Sequence, residues 1–431
     1  MVIFDSEIYQ IHNRMKLHLL AICFSISVWG LVTACCEQTS KEYTFDRSGI
    51  SREVLENYLS RAVTLTEFLI ENPFYNDAPL SDKEDDIRML KALKAKFIGR
   101  AIYRWGREHL IADTAFWNPA WQLMERMHRY DPEMIFQAAV FEIVTTRVDS
   151  IEIPEWSFAA LGIPYEKRHF CYEKMLNREG KFVDHWGEGA SVPDITQQET
   201  QLWLMFLAGS YIRIGCEAIH WGQVSLIGMN DPEFRTWRDF LEKARTFARQ
   251  NSRRGWVLFD AHTPTGGMIV EGKSLLDFNS FPLRIKEIPE KPLQGILQKP
   301  YLDALYGRSK GGTTPSGWSC ESLPYLVEFD NFGISAHPGV ADTASHFIWG
   351  YDEISWFCKL DEEYRDYWLH YAYDWLREND PNAFLQMPLS RVVTWGKGHP
   401  NFLFKGNNRS EACPEGMNIE KSVADIWTNQ P

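Results

Sequence analysis

Acidic, amide and imidazole side chains interrupt otherwise apolar runs at several places in this sequence. Arg104, Trp105 and Glu108 close IYRWGRE. Glu142 sits in AAVFEIVT, and Glu217, His220 and Gln223 in GCEAIHWGQV. Asp260 and His262 end WVLFDAH, Asp277 and Asn279 lie in LLDFNS, and Gln386 in AFLQM. Glu328, Asp330 and Asn331 fall in PYLVEFDNFG. A charged group inside a buried strand is costly unless it is paired or used. Asp260 with His262, Asp277 with Asn279, and Glu328 with Asp330 are each two residues apart, which on a strand puts both side chains on one face. Two carboxylates in contrasting surroundings can cleave an acetal: one, kept protonated, donates to the leaving oxygen, and the other, ionised, faces the anomeric carbon. A separation of about 5–5.5 Å gives retention, and a wider one admits water and gives inversion.

Such residues must be brought together by the elements that carry them. Short apolar runs alternate with helical segments after residue 97, the βαβ rhythm of a parallel sheet. The strand candidates are Phe97–Trp105, Met134–Thr146, a faint third at His169–Tyr172, Cys216–Val224, Trp256–Ala261, Leu275–Phe281, Tyr325–Asp330 and Phe384–Met387. Helices are expected at Pro119–Arg129, Ile195–Ile214, Asp231–Asn251 and Glu353–Glu378. Two more precede them, at Ser51–Glu71 and at Ser81–Lys96, the latter opening on a Ser81/Glu84 capping box. Eight strands imply an α/β fold, a (β/α)8 TIM barrel with N-terminal helices and long βα loops. Between Ala261 and Leu275 the chain is too short for a comfortable helical crossover. On a barrel, polar residues from five strands converge on one mouth at the C-terminal ends.

Hydrophobic residues are 45% of the chain and charged residues 24%, with a formal net charge of −13. That excludes a disordered, collagenous or coiled-coil chain and speaks against nucleic acid as a partner. The 17 Trp, 17 Tyr and 26 Phe suit a carbohydrate-handling surface as well as a core. Trp105, Trp186, Trp221 and Trp318 are the candidates for stacking on sugars.

Lys16 precedes an apolar stretch, Leu17–Val32, that ends in LVTAC. This is the pattern of a secretory signal, too short for a convincing membrane span. Met15 is the expected start. Residues 1–34 read as the signal, 35–50 as a tether, and 51–431 as one barrel domain with a helical extension. The remaining cysteines are widely spread and show no zinc spacing.

LVTAC resembles the lipobox of exported bacterial lipoproteins, which implies lipidation of Cys35 and anchoring at the cell surface or the periplasmic face of a bacterial membrane. The polar strand ends resemble those of retaining glycoside hydrolases on a (β/α)8 barrel, over roughly residues 97–390. GKFVDHWGEGASVPDITQQETQ, EAIHWGQV and PSGWSCESLPYLVEFDNFG also look like a family of exported, uncharacterised barrel proteins. The hydrolase resemblance implies an acid/base Glu on strand four, matched by Glu217, and a nucleophile on strand seven, matched by Glu328. Cys216 stands where that family usually has Asn, and Glu217 comes early in its strand, so Glu142 is an alternative acid. Arg104, Trp105, Trp186, His220, Gln223, Asp260, His262, Asp277, Asn279, Trp318, Asp330 and Asn331 would then line a poly- or oligosaccharide site, with no cofactor or metal required.

Two other readings compete. A metal-dependent hydrolase on the same barrel would draw ligands from Glu217, His220, Asp260, His262 and His337, but IYRWG lacks the His-x-His with which barrel amidohydrolases begin. A non-catalytic glycan-binding surface lipoprotein would keep the barrel and its polar mouth. There is no GxSxG nucleophile elbow and no Walker spacing.

Overall fold

The computed structural model describes residues 42–71, 83–288, 290–301, 304–331, 350–394 and 401–428. Eight parallel strands follow one another around a ring in chain order: β1 (Ala62–Leu65), β2 (Phe97–Ile102), β3 (Ile135–Ala139), β4 (Ala218–Gln223), β5 (Leu258–His262), β6 (Asn279–Pro282), β7 (Tyr325–Glu328) and β8 (Ala383–Val393). The ring closes where Val63 of β1 sits opposite Met387 of β8. The fold is the expected (β/α)8 barrel. A further strand, β9 (Phe402–Lys405), pairs antiparallel with the long end of β8.

The longer helices are α1 (Arg52–Leu59), α2 (Lys83–Leu93), α3 (Thr114–Tyr130), α4 (Glu155–Leu161), α5 (Gln198–Ile214), α6 (Arg235–Asn251), α7 (Glu353–Lys359), α8 (Glu362–Asn379) and α9 (Glu420–Thr428). Local chemistry sets their ends. Asp113 and Asp361 accept the Ala115 and Tyr364 N–H groups as N-caps. Gly215 ends α5 at φ 111°, a left-handed conformation suited to glycine. On α6, Trp237, Phe240, Leu241, Ala244 and Ala248 form the buried stripe at helical spacing.

Two elements differ from expectation. The helix expected over Ser51–Glu71 stops at Leu59, and Ala-Val-Thr-Leu then forms β1, because the barrel needs a strand between β8 and β2. His169 makes only an isolated bridge to Glu152, and Tyr172–Met175 is a 3-10 turn. The missed first strand and the false third cancel, so strands four to eight keep their expected places. The short crossover from β5 to β6 carries no helix. A hairpin, Ile269–Val270 with Lys273–Ser274, spans it. Ser81 of the expected capping box, the signal, Cys35 and His337 lie outside the described residues.

The barrel interior is layered. At the N-terminal end Ala62, Phe97, Ile135, Ala218, Leu258, Phe278, Leu326 and Phe384 cluster with Leu55, Tyr58 and Leu59 of α1, which plugs the bottom. Two residues further along each strand the inward positions turn polar: Thr64, Gln137, His220, Asp260, Ser280, Glu328 and Gln386, all buried. On β2 the equivalent position is Gly99, where a Cβ would lie 1.9 Å from Gln386 Nε2. The glycine makes room for the Gln386 amide, which donates to Val63 O of the neighbouring β1.

Candidate active site

Glu328 ends β7 at the centre of the mouth. Arg100 of β2 grips it, donating from Nη2 to Oε1 and from Nε to Oε2 (3.3 Å), while His262 Nε2 lies 3.0 Å from Oε1. Arg100 occupies the left-handed region at φ 58° within a register break between Ile98 and Ile102. Irregularities of this kind re-aim a side chain. Here the break brings a guanidinium to the mouth. Arg391 of β8 donates from Nη2 to Asp330 Oδ1, and the other Asp330 oxygen is 3.9 Å from His262 Nε2. Burial pushes the Glu328 carboxyl up, but Arg100, then His262 and Arg391, outweigh it and hold it well below the usual carboxylate range.

Beneath this network Asp260 Oδ2 is 2.7 Å from His220 Nδ1, and Asp260 Oδ1 accepts the Gln137 amide at 2.7 Å. The His220 and His262 rings meet edge to face at 4.7 Å. Burial raises Asp260 to about 7 despite Ser280, Arg100 and Gln137, and burial, with Arg100 and His262, holds His220 well below its ordinary value.

Glu142 lies beyond β3 at the same end. Its two oxygens accept the backbone N–H and the side-chain amide of Gln223, both at 3.0 Å. Gly222 permits this: its φ is 58°, and a Cβ would come 2.6 Å from Glu142 Oε2. Trp186 donates to the Glu142 carbonyl at 2.9 Å and meets Trp105 edge to face, with both rings half-buried. These two tryptophans rim the mouth.

Other expected site residues lie elsewhere. Glu217 precedes β4, at the opposite end from Glu328, locked by Arg253 (2.6 Å) and Arg254 (3.0 Å). Its early place in the strand keeps it from the mouth, so it is no partner for Glu328. Asp277 and Asn279 do share a face, but the outer one. Asp277 pairs with Arg245 of α6, and Asn279 ties down Gly266 and Ser309. Trp318 donates to Ile50 O and packs on the bottom plug, and Trp221 is core against Trp237, Phe240 and Phe259. Arg104 is held by Glu67 at 2.6 Å under the rim, and Asn331 donates to Val392 O. Arg100, Arg391, Gln137 and Ser280 were not expected. Arg100 and Arg391 interrupt apolar runs, FIGRAI and PLSRVV, just as the expected residues do.

His262, Glu328 and Asp330 bring one possible ligand atom each within 4.8 Å of one another. Both carboxylates, however, already carry a guanidinium, which supplies the positive charge a cation would bring. Glu217 of the rival ligand set is at the other end of the barrel. The donor set does not fit a resident divalent metal.

The fold and site define a (β/α)8 barrel with an ion-paired, carboxylate-rich mouth. No protein-family model matches the chain, and no curated protein matches it. Among solved structures, the native debranching enzyme of Nostoc punctiforme aligns over 86% of this chain and 80% of its own, with TM-score 0.40 and 10% identity. The β-glucuronidase of Ruminococcus gnavus aligns over 81% and 47%, with TM-score 0.36 and 9% identity. A further structure of the Nostoc punctiforme enzyme aligns over 52% of each chain, with TM-score 0.32 and 11% identity. The first two structures matched are covered over 52% and 44% of their length, about half.

Proposed function

We propose that this protein is a glycoside hydrolase acting on a poly- or oligosaccharide, with Glu328 as nucleophile and Glu142 as acid/base. One observation carries the reading: two carboxylates at the same end of the barrel sit in contrasting surroundings. Glu328 is gripped by Arg100, whereas Glu142 has no Lys or Arg partner among the described residues and meets only the neutral Gln223. Acetal cleavage needs two carboxyl groups in different roles, one facing the anomeric carbon and one exchanging a proton with the leaving oxygen. A Glu328 oxygen bonds to the anomeric carbon as the bond to the leaving oxygen breaks, and Glu142 gives that oxygen its proton. Water, losing a proton to Glu142, then displaces Glu328. The Gln223 amide can turn its NH2 to the ionised Glu142 or its oxygen to the protonated one. Trp105 and Trp186 offer half-buried aromatic surface to a sugar.

The test is a panel of aryl glycosides and polysaccharides. Glu328→Gln is expected to abolish turnover while the protein still folds, with a lowered unfolding temperature because Arg100 loses its counter-charge, and Glu142→Gln to lose about 10²–10⁴-fold. Wild-type turnover in Glu328→Gln overturns the assignment. A second reading, glycan capture without turnover, is favoured by the fact that β4 ends on Gln223 rather than a carboxylate. Calorimetric binding of a glycan that the wild type leaves intact would support it.

We also propose that the chain is exported and lipid-anchored through Cys35, on the strength of LVTAC. Fatty-acid labelling in cells should be lost in Cys35→Ser, and equal labelling of both forms would overturn this.

A further inference from the structure

His220 is 1% exposed at the floor of the mouth, and it is satisfied on one side only. Its Nδ1 meets Asp260 Oδ2 at 2.7 Å and Ser280 Oγ at 3.3 Å. Its other nitrogen, Nε2, is buried and has no hydrogen-bond partner. A buried polar atom without a partner is costly and calls for a reason, such as a catalytic role, a water or a ligand. The ring is fixed by its edge-to-face contact with His262 and by Phe141, 6.2 Å away. Asp260 is fixed in turn by Gln137, so the pair cannot swing to find another partner.

The geometry points to His220 Nε2 as a contact for a ligand hydroxyl, with its hydrogen-bonding sense set by one proton held on the Asp260–His220 pair. When Asp260 carries the proton, its O–H donates to Nδ1, the imidazole hydrogen sits on Nε2, and Nε2 donates. When the pair releases that proton to solvent, Asp260 accepts from an Nδ1–H, and Nε2 presents a lone pair. Loss of a single proton therefore turns the floor of the site from donor to acceptor. The charged or titratable groups around the pair are Arg100 from β2, His262 from β5, Glu328 from β7 and Arg391 from β8, and the neutral donors are Gln137 from β3 and Ser280 from β6. Arg100 and His262 favour release of the proton, while burial opposes it and brings the Asp260 carboxyl to about 7. The inference stands on the buried pair and does not depend on glycoside hydrolysis.

The experiment uses the full chain labelled with ¹⁵N-histidine and no ligand, with the His220 ring signals assigned by comparison with His220→Gln. Between about pH 5 and about pH 9, a range spanning the titration of histidine, the lone-pair nitrogen signal is expected to move from Nδ1 to Nε2. In Asp260→Asn the Gln137 amide keeps Oδ1, so the new amide faces Nδ1 as a donor, and Nε2 is expected to stay protonated across the range. A wild type with Nδ1 protonated at every pH overturns the inference. So does an Asp260→Asn protein that shows the same tautomer change as the wild type. Because no substrate is present, failure here is separate from failure of the hydrolase assignment.

Discussion

Arg100 spans the barrel mouth to grip both oxygens of Glu328, so the carboxylate at the end of β7 owes its ionised state to a residue 228 positions away in sequence. Removing one partner of a buried pair leaves the other as an uncompensated charge. Arg100→Met is therefore expected to cost about 3–5 kcal/mol, read by denaturant unfolding. The double variant Arg100→Met/Glu328→Gln is expected to be more stable than the sum of its single changes by about 0.5–3 kcal/mol. Additive single changes would show that the pair does not couple.

Glu217 tests the opposite end. It is buried and held by two consecutive arginines, next to the plug that α1 makes under the barrel. Glu217→Gln leaves the largely buried Arg254 with Glu133 (2.9 Å) as its remaining carboxylate. A loss of about 3 kcal/mol is expected, with turnover per folded molecule unchanged. A large fall in kcat without a fall in stability would return Glu217 to the chemistry.

What the sequence disclosed follows a physical line. A charged residue inside an apolar run is visible in one dimension, so Glu328, Asp330, Asp260, His262, His220 and Glu142 could all be found. Which way such a residue faces depends on register. Asp277 and Asn279 have the right spacing but stand on the outer face. Glu217 is three residues before His220, which puts it at the other end and on the other face. Arg100 reaches the mouth only through a left-handed residue at a register break, which spacing cannot reveal. β1 was hidden because Ala62 and Leu65 continue the apolar spacing of α1 closely enough to look like one helix. Trp318 shows the limit of composition: the indole that looked like a sugar platform packs half-buried against the plug at the bottom of the barrel.

The ion-paired mouth predicts indifference to metals. Since Arg100 and Arg391 occupy the carboxylates that a cation would need, incubation with a chelator should leave the unfolding temperature and any turnover unchanged, and added Zn²⁺ should not raise the unfolding temperature. A stabilisation that grows with metal concentration would overturn this.

Gly222 links backbone to chemistry. Its φ is 58°, and a Cβ at this residue would stand only 2.6 Å from Glu142 Oε2, which leaves no space for a methyl group. Gly222→Ala should displace Glu142 from the Gln223 amide. Strain of this kind costs about 1–3 kcal/mol. Turnover should fall toward that of Glu142→Gln while the Glu328 pair is preserved. Unchanged turnover together with lowered stability would mean that the Glu142–Gln223 bonds serve only to hold the loop.

The buried Asp260–His220 pair gives a pH signature whose sign can be worked out. In the unfolded chain, between about pH 4 and about pH 6.5, Asp260 is ionised and His220 protonated, so the pair holds one proton. In the folded chain Asp260, raised to about 7, holds the proton and His220 does not. The counts are equal, so in this window the pair adds no slope to the stability curve. Asp260→Asn removes the folded-state proton but leaves the unfolded histidine able to bind one. Its stability is then expected to fall, relative to the wild type, by about 1.4 kcal/mol for each pH unit below about 6.5. Parallel curves for the two proteins, measured by denaturant unfolding across that window, would overturn the assignment of the folded-state proton to Asp260.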